Sequence, residues 1–175
     1  MRITVSGLPG SGTTSLARYL SSQLGFSLIS AGEVFRQMAK DRNMDLSEFD
    51  LLAENDPSFD KLIDARQKEI AREKDDIIIE GRLSGCMVAD ADLKIWVMAS
   101  LPCRVARILS RDSVTDLTMA RALTEERERS EALRYRTYYQ IDINDLSGYD
   151  MVLNSEHWGV EQLGAIVMTA VAMSR

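Results

Sequence analysis

The chain has 175 residues, 45% of them hydrophobic and 27% charged, with a net charge of −6. That length suits one domain and is too short for two full ones, and the acidic balance argues against a standing surface for nucleic acid or anionic membrane. The positive residues are 16 Arg against 5 Lys, a choice that suits bidentate grip on phosphate or carboxylate, although lineage bias would produce it too. In chain order, Arg2–Ser6 reads as a short strand that meets a Gly-rich turn, and Thr13–Leu24 carries helical apolar spacing up to Gly25. Ser27–Ile29 is a second strand, followed by a helix from Ser30 or Ala31 to Asp41. Leu46–Glu54 and Ser58–Glu73 are two further helices, the latter opening at Pro57. The apolar runs Ile77–Ile79 and Leu93–Val97 suit strands buried on both faces of a parallel sheet. Helices from Pro102 to about Arg111 and from Leu117 to Tyr139, a strand at Met151–Leu153 and a helix from Gly159 complete the chain.

This alternation predicts an α/β fold, a doubly wound five-stranded parallel sheet within a single domain over 1–175. Residues 31–73 interrupt it with helices and no strand, the place for a small substrate-binding insertion. Cys86 and Cys103 make neither a disulfide framework nor a zinc spacing. With no signal peptide or spanning segment to be read, the expected location is cytoplasmic. His157 is the only histidine, which disfavours His-dependent catalysis.

Between the first strand and the first helix lies Gly7-Leu8-Pro9-Gly10-Ser11-Gly12-Thr13-Thr14, which has the G-x-x-x-x-G-x-[ST] frame of a P-loop. Such a loop turns its backbone N–H groups inward, and the helix behind it adds positive potential for phosphates. These eight residues are therefore expected to bind ATP, with the Thr14 hydroxyl on Mg²⁺. The Lys normal to the position before it is Thr13, which removes a cation from where charge moves in phosphoryl transfer. Either an Arg from elsewhere replaces it, or the protein binds nucleotide without turning it over.

Ser30-Ala31-Gly32-Glu33-Val34-Phe35-Arg36 puts a polar turn at the tip of the second strand, and Glu80-Gly81-Arg82 puts an acid and an Arg at the end of the third. Ligands bind at that edge of open α/β sheets. Arg36 and Arg82 are expected to converge on a second phosphate, and Glu80 to order the water shell of Mg²⁺. With these motifs the chain resembles the nucleoside monophosphate kinases of the P-loop kinase superfamily, and within them the archaeal-type cytidylate kinases. The resemblance covers nearly the whole chain. Ser30–Arg36 resembles that family's monophosphate-gripping helix start, and Glu80–Gly85 with Asp90–Val97 resembles its G-R-D-x-G segment and trailing strand. A Thr in place of the P-loop Lys is usual in the archaeal branch.

The resemblance implies that 31–73 is the nucleoside-monophosphate-binding insertion and that a lid loop spans about 111–116. It further implies that Ser30, Gly32, Arg36, Arg82, Arg66, Gln67 and Glu131 bind the acceptor, with Asp64 another candidate reader of the base. Leu83 and Ala31 depart from the bacterial pattern, so base reading differs from the bacterial enzymes. Arg107 and Arg111 fall on the first flank of the lid, where arginines cover ATP; cations ending a helix would give the same spacing. Arg127, Glu131 and Arg134 share one helical face, and their spacing matches the family's R-x-x-x-D-x-x-R on the second flank, with Glu131 in place of the Asp. Arg127 and Arg134, with Arg82, are the expected catalytic cations, supplying the charge that Thr13 lacks; a salt-bridged solvent face is the other reading. Asn154-Ser155 is placed to touch the adenine edge. The activity implied is transfer of the γ-phosphoryl of ATP to CMP or dCMP with Mg²⁺, by a monomer without nucleic-acid or membrane partners. A kinase for UMP or AMP, and a nucleotide sensor without turnover, are the rivals.

Overall fold

The structure is a computed structural model that describes residues 1–112 and 116–173, without the side chains of Ser47, Asp50, Glu54, Asn55, Arg66, Lys68 and Asp112. In chain order it contains β1 (Arg2–Ser6), α1 (Thr13–Leu24), β2 (Ser27–Ser30), α2 (Ala31–Asp41), α3 (Leu46–Asn55) and α4 (Ser58–Glu73). There follow β3 (Ile77–Glu80), α5 (Ser84–Met87), β4 (Leu93–Met98), α6 (Leu101–Asp112), α7 (Leu117–Tyr139), β5 (Met151–Asn154) and α8 (Val160–Met173). The strands form one sheet in the order β2-β3-β1-β4-β5, and every neighbouring pair is parallel. Strands β2 to β5 each run one residue beyond their apolar run, because the last residue (Ser30, Glu80, Met98 or Asn154) still pairs in the ladder. The single turn α5 is too short to leave a periodic signal. Residues 113–115 of the expected lid loop lie outside the described residues.

Local chemistry sets the helix ends. Gly25, at φ 71°, closes α1 with its N–H on the Ser21 carbonyl, the left-handed ending that glycine adopts without strain. Ser30 caps α2, its hydroxyl accepting from the Glu33 N–H at 3.2 Å. Asp45 and Glu48 form a capping box at the start of α3, and Asp116 accepts from the Thr118 and Met119 N–H groups at the start of α7.

Packing then gives the sheet and the insertion separate apolar clusters. Ile3, Val5, Ile95 and Val97 of the sheet bury against Leu16 and Leu20 of α1 and Leu163 and Val167 of α8. The insertion has its own core of Phe35, Ala39, Phe49, Ala53 and Ile63, with the Phe35 and Phe49 rings 4.8 Å apart. Fully buried side chains of this size stabilise by about 1.5–3 kcal/mol each, so α2–α4 hold together as a unit. Helix α7 packs on both α6 and α3, and so bridges the P-loop half and the insertion. Among the described residues no helix is long and apolar enough to cross a membrane.

Register fixes what meets at the carboxyl edge. Ser30 and Val5 both stand opposite Glu80, so the end of β2, the end of β3 and the loop after β1 converge. The connection from β1 leads to one side of the sheet and that from β3 to the other, the switch point where open α/β sheets bind ligands.

Candidate active site

The P-loop is held from outside by its carbonyls. Gly10 and Gly12 take φ of 80° and 97°, conformations that cost an L-residue strain. Arg104 of α6 donates to the Pro9 carbonyl at 3.2 Å. Arg107, one turn on, donates to the Gly10 and Ser11 carbonyls, both at 3.4 Å. Ser155, at the end of β5, donates its hydroxyl to the Ser11 carbonyl at 2.6 Å. With those carbonyls held by α6 and β5, the loop can present N–H groups and the start of α1 to an anion.

Thr13 has a role that its place in the motif did not suggest. Its hydroxyl donates to Glu80 Oε1 at 2.6 Å, and Ser30 donates to Glu80 Oε2. Thr13, Ser30 and Glu80 are all buried. One carboxylate thus ties the P-loop helix, the cap of α2 and the end of β3 together, and each of its oxygens keeps a second lone pair for water. Thr14 faces the cleft beside them.

The cleft in front of the loop encloses about 550 Å³, and Arg18, Arg36, Arg82, Arg107, Arg111 and Arg127 all reach it. Arg18 pairs with Glu33 at the rim. Arg36 makes no ion pair among the described residues, and burial together with the Arg111 charge lowers its pKa; Glu80 opposes this and Arg127 adds to it. Like charges held this close repel one another, and a bound anion relieves that repulsion.

Helix α7 carries the other half of the site. Glu131 is 3% exposed and accepts from Arg82 Nε at 2.9 Å and from Arg127 Nε at 3.0 Å. Burial pushes its pKa up, but Arg82, Arg127 and Arg134 together prevail and hold it below the usual carboxylate value. Burial also works against the charge on Arg82, yet Glu131, Tyr135 and Glu80 together outweigh it and raise that pKa. Arg134 turns to the insertion, where its Nε donates to Asp60 Oδ2 at 2.8 Å and a terminal nitrogen donates to the Ser130 hydroxyl at 2.8 Å. For Asp60 burial outweighs the Arg134 charge, and its pKa is raised. Tyr139 donates to Asp64 at 2.5 Å, and Gln67 accepts from the Ser84 hydroxyl at 3.2 Å. Gly32, Asp60, Asp64, Gln67, Arg134 and Tyr135 are among the residues around a small cavity beneath the insertion.

The model of the cytidylate kinase-like family matches residues 2–157. The chain belongs to that family. It is 65% identical over 171 residues to a cytidylate kinase of Methanoregula boonei, covering 98% of this chain and 94% of that protein. A cytidylate kinase of Methanosphaerula palustris is 63% identical over 175 residues, covering 100% and 99%. One from Archaeoglobus fulgidus is 44% identical over 175 residues, covering 100% and 97%. In fold alone this cytidylate kinase-like chain is similar to shikimate kinase from Bacteroides thetaiotaomicron, with a TM-score of 0.65, 14% identity and 98% of each chain covered. It is also similar to an uncharacterised protein from Eubacterium ventriosum, with a TM-score of 0.71, 16% identity and 98% of each chain covered.

The structure brings Thr14, Arg36, Arg82, Arg107, Arg111 and Arg127 to one cleft with the P-loop and Glu80. It takes Arg134 out of that cleft: seven residues of helix advance about 10 Å, which carries the same face from the donor side at Arg127 to the insertion at Arg134. Ser30 spends its hydroxyl on Glu80 rather than on the cleft, and Ser155 locks the P-loop to β5. The side chain of Arg66 lies outside the described residues. Sequence reasoning missed Arg18, Asp60, Arg104 and Tyr139. Arg104 could have been found, since 104, 107 and 111 repeat at helical spacing on one face of α6. Asp60 and Tyr139 meet their partners across 74 and 75 residues of chain, a separation that spacing does not encode.

Proposed function

We propose that this chain is a cytidylate kinase that transfers the γ-phosphoryl of ATP to CMP or dCMP, giving ADP and the corresponding diphosphate. The observation that carries this reading is the set of arginines gathered in the cleft in front of the P-loop, of which Arg36 makes no ion pair among the described residues. The family and the cytidylate kinases at 44–65% identity supply the acceptor class.

In this reading ATP lies with its phosphates on residues 7–14 and against Arg107 and Arg111. The CMP phosphate meets Arg36 and Arg82, and the base enters beneath the insertion toward Asp60, Asp64 and Gln67. Arg127, poised by Glu131, reaches the phosphoryl in transit, while Arg134 serves the acceptor side through α4. The acceptor phosphate is already a nucleophile and needs no general base. Catalysis is therefore positioning and charge neutralisation in a cleft closed to water.

Mg²⁺ fits the donor set, which is hard oxygen: the Thr14 hydroxyl, the nucleotide's own phosphates, and water held by Glu80. Bound with ATP, it neutralises phosphate charge. Thr13, engaged with Glu80, leaves the missing cation to the arginines. The protein works as a monomer in the cytoplasm, a reading supported by its free Cys86 and Cys103 and its acidic charge.

A coupled assay of ADP formation with ATP, Mg²⁺ and each of CMP, dCMP, UMP and AMP tests the proposal. CMP should give the highest kcat/KM. A preference for AMP or UMP would replace the acceptor. Tight ATP binding without acceptor-dependent ADP would favour the sensor reading, which the Thr at position 13 motivates.

A further inference from the structure

The ion pair between Arg104 and Glu128 serves neither phosphate directly. Arg104 is 5% exposed, behind the P-loop and away from the cleft. Its Nε donates to the Ala99 carbonyl at 3.1 Å and its terminal nitrogen to the Pro9 carbonyl at 3.2 Å. The same guanidinium pairs with Glu128 of α7, with a second contact at 3.4 Å. The loop has little slack against it, for a Cβ on Gly10 would lie 2.6 Å from the Arg104 carbonyl oxygen. Leu8, the residue before Pro9, packs with Ala132 and Tyr135 of α7 in the cluster around Leu83 and Trp96.

Helix α7 therefore holds the P-loop by two handles, one ionic and one apolar. Further along, Glu131 holds Arg82 and Arg127, and Arg134 holds Asp60 of the insertion. Residues 128, 131 and 134 step along α7 at three-residue intervals, about 4.5 Å of axial rise each. One stiff element thus touches the donor loop, the transfer cations and the acceptor insertion. A shift of α7 toward a bound acceptor must either stretch the Arg104–Glu128 pair or carry the Pro9 carbonyl with it. That carbonyl belongs to the loop whose orientation decides where the donor phosphates bind.

We propose that Arg104 and Glu128 are positioning residues which transmit the seating of the acceptor, through α7, to the P-loop, so that acceptor and donor sites tighten one another. The proposal rests on CMP being the acceptor. Arg104 supplies geometry as well as charge. Three nitrogens of a rigid fork serve two carbonyls and a carboxylate at once, whereas a Lys offers a single ammonium that cannot span all three.

The test uses ADP and CMP, a pair that lacks the γ-phosphoryl the reaction transfers, with the full-length protein. ADP dissociation constants are measured by calorimetry with and without saturating CMP, and their ratio is the coupling factor. The parent protein should show a factor of at least about fivefold, within the usual range for coupled sites. Glu128→Gln, which keeps shape and loses charge, and Arg104→Lys, which keeps charge and loses the fork, should each bring it below about twofold. Glu128→Asp should restore at least half of it. CMP affinity measured alone should stay within twofold of the parent's in every variant. A residue that only stabilised the fold would lower the melting temperature and leave the ratio alone.

Coupling within twofold of the parent in both Glu128→Gln and Arg104→Lys overturns the inference, as does a parent protein whose sites are uncoupled. So does a loss of CMP affinity in the variants as large as the loss of coupling. If CMP does not bind the parent at all, the cytidylate kinase reading falls and this inference falls with it. If CMP binds and coupling survives the variants, the inference falls alone.

Discussion

Replacing Glu131 by Gln removes one charge from the most heavily shared carboxylate in the site while keeping its shape. Glu131 accepts from Arg82 at 2.9 Å and Arg127 at 3.0 Å, and its side chain is 4% exposed, so solvent screens neither contact. Removing one partner from a buried ion pair costs about 3–5 kcal/mol, because the remaining charge is left desolvated. The Gln carbonyl still accepts from one arginine, which puts the expected loss near the lower end, about 3 kcal/mol. For a chain of this size each kcal/mol moves the melting temperature by about 2–4 °C, so a fall of roughly 6–12 °C is expected at pH 7.

The sign of the pH dependence follows from the lowered pKa of Glu131. Its stabilisation is fully present above the ordinary value of 4.5 and is lost as pH falls through the lower folded value. Glu131→Gln has no such group to protonate, so the gap between the two proteins should narrow steadily below pH 4.5. Asp60 has the opposite sign. Its raised pKa gives a contribution present below 3.8 and lost as pH rises through the folded value. Because burial is the largest cause and the Glu131 charge the smallest, most of it persists in Glu131→Gln. Thermal unfolding followed by circular dichroism at several pH values measures the gap. A Tm within about 2 °C of the parent at pH 7 would refute the buried-pair reasoning, and so would a gap that stays constant into acid.

Five further substitutions probe the division of labour. Arg127→Ala should lower kcat by about a hundredfold to a thousandfold, the scale of losing one preorganised donor, and near-normal turnover would end the idea that it replaces the P-loop cation. Arg134→Ala should instead raise KM for CMP and leave KM for ATP within twofold, since Arg134 pairs with Asp60 of the insertion; a selective rise in the ATP value contradicts this. Thr13→Val leaves Glu80 Oε1 without its donor and should cost about 1–3 kcal/mol in urea unfolding, where a change under about 0.5 kcal/mol would count against the network. Gly10→Ala drives a Cβ to 2.6 Å from the Arg104 carbonyl at a φ of 80° and should raise KM for ATP at least tenfold on the order of a displaced phosphate cradle. Gly25→Ala has the same kind of φ with nothing within 4 Å, so it should weaken the fold slightly and leave that KM unchanged.

Much of this architecture was legible because its causes are local. The run Ile77–Ile79 announced a strand buried on both faces, and all three residues are fully buried. The glycines at 10 and 12 announced a turn that needs positive φ. Helical spacing set Arg127, Glu131 and Arg134 on one face, and the Arg127–Glu131 contact followed. Spacing could not say what that face looked at. Over its length α7 crosses from the donor cleft to the insertion, and so Arg134 meets Asp60 rather than the P-loop.

The excess of arginine over lysine, the P-loop frame and the alternation of strand and helix needed only the chain itself, since each depends on residue chemistry or on neighbours a few positions away. Only the folded molecule decided that Thr13 holds Glu80, that Arg18 joins the cleft and that Arg104 braces the loop from behind. Those contacts are set by strand order and parallel register, which bring residues 67, 15 and 95 positions apart within hydrogen-bonding distance. No periodicity along the chain carries that information, because the partners are chosen by the packing of layers and not by the sequence between them.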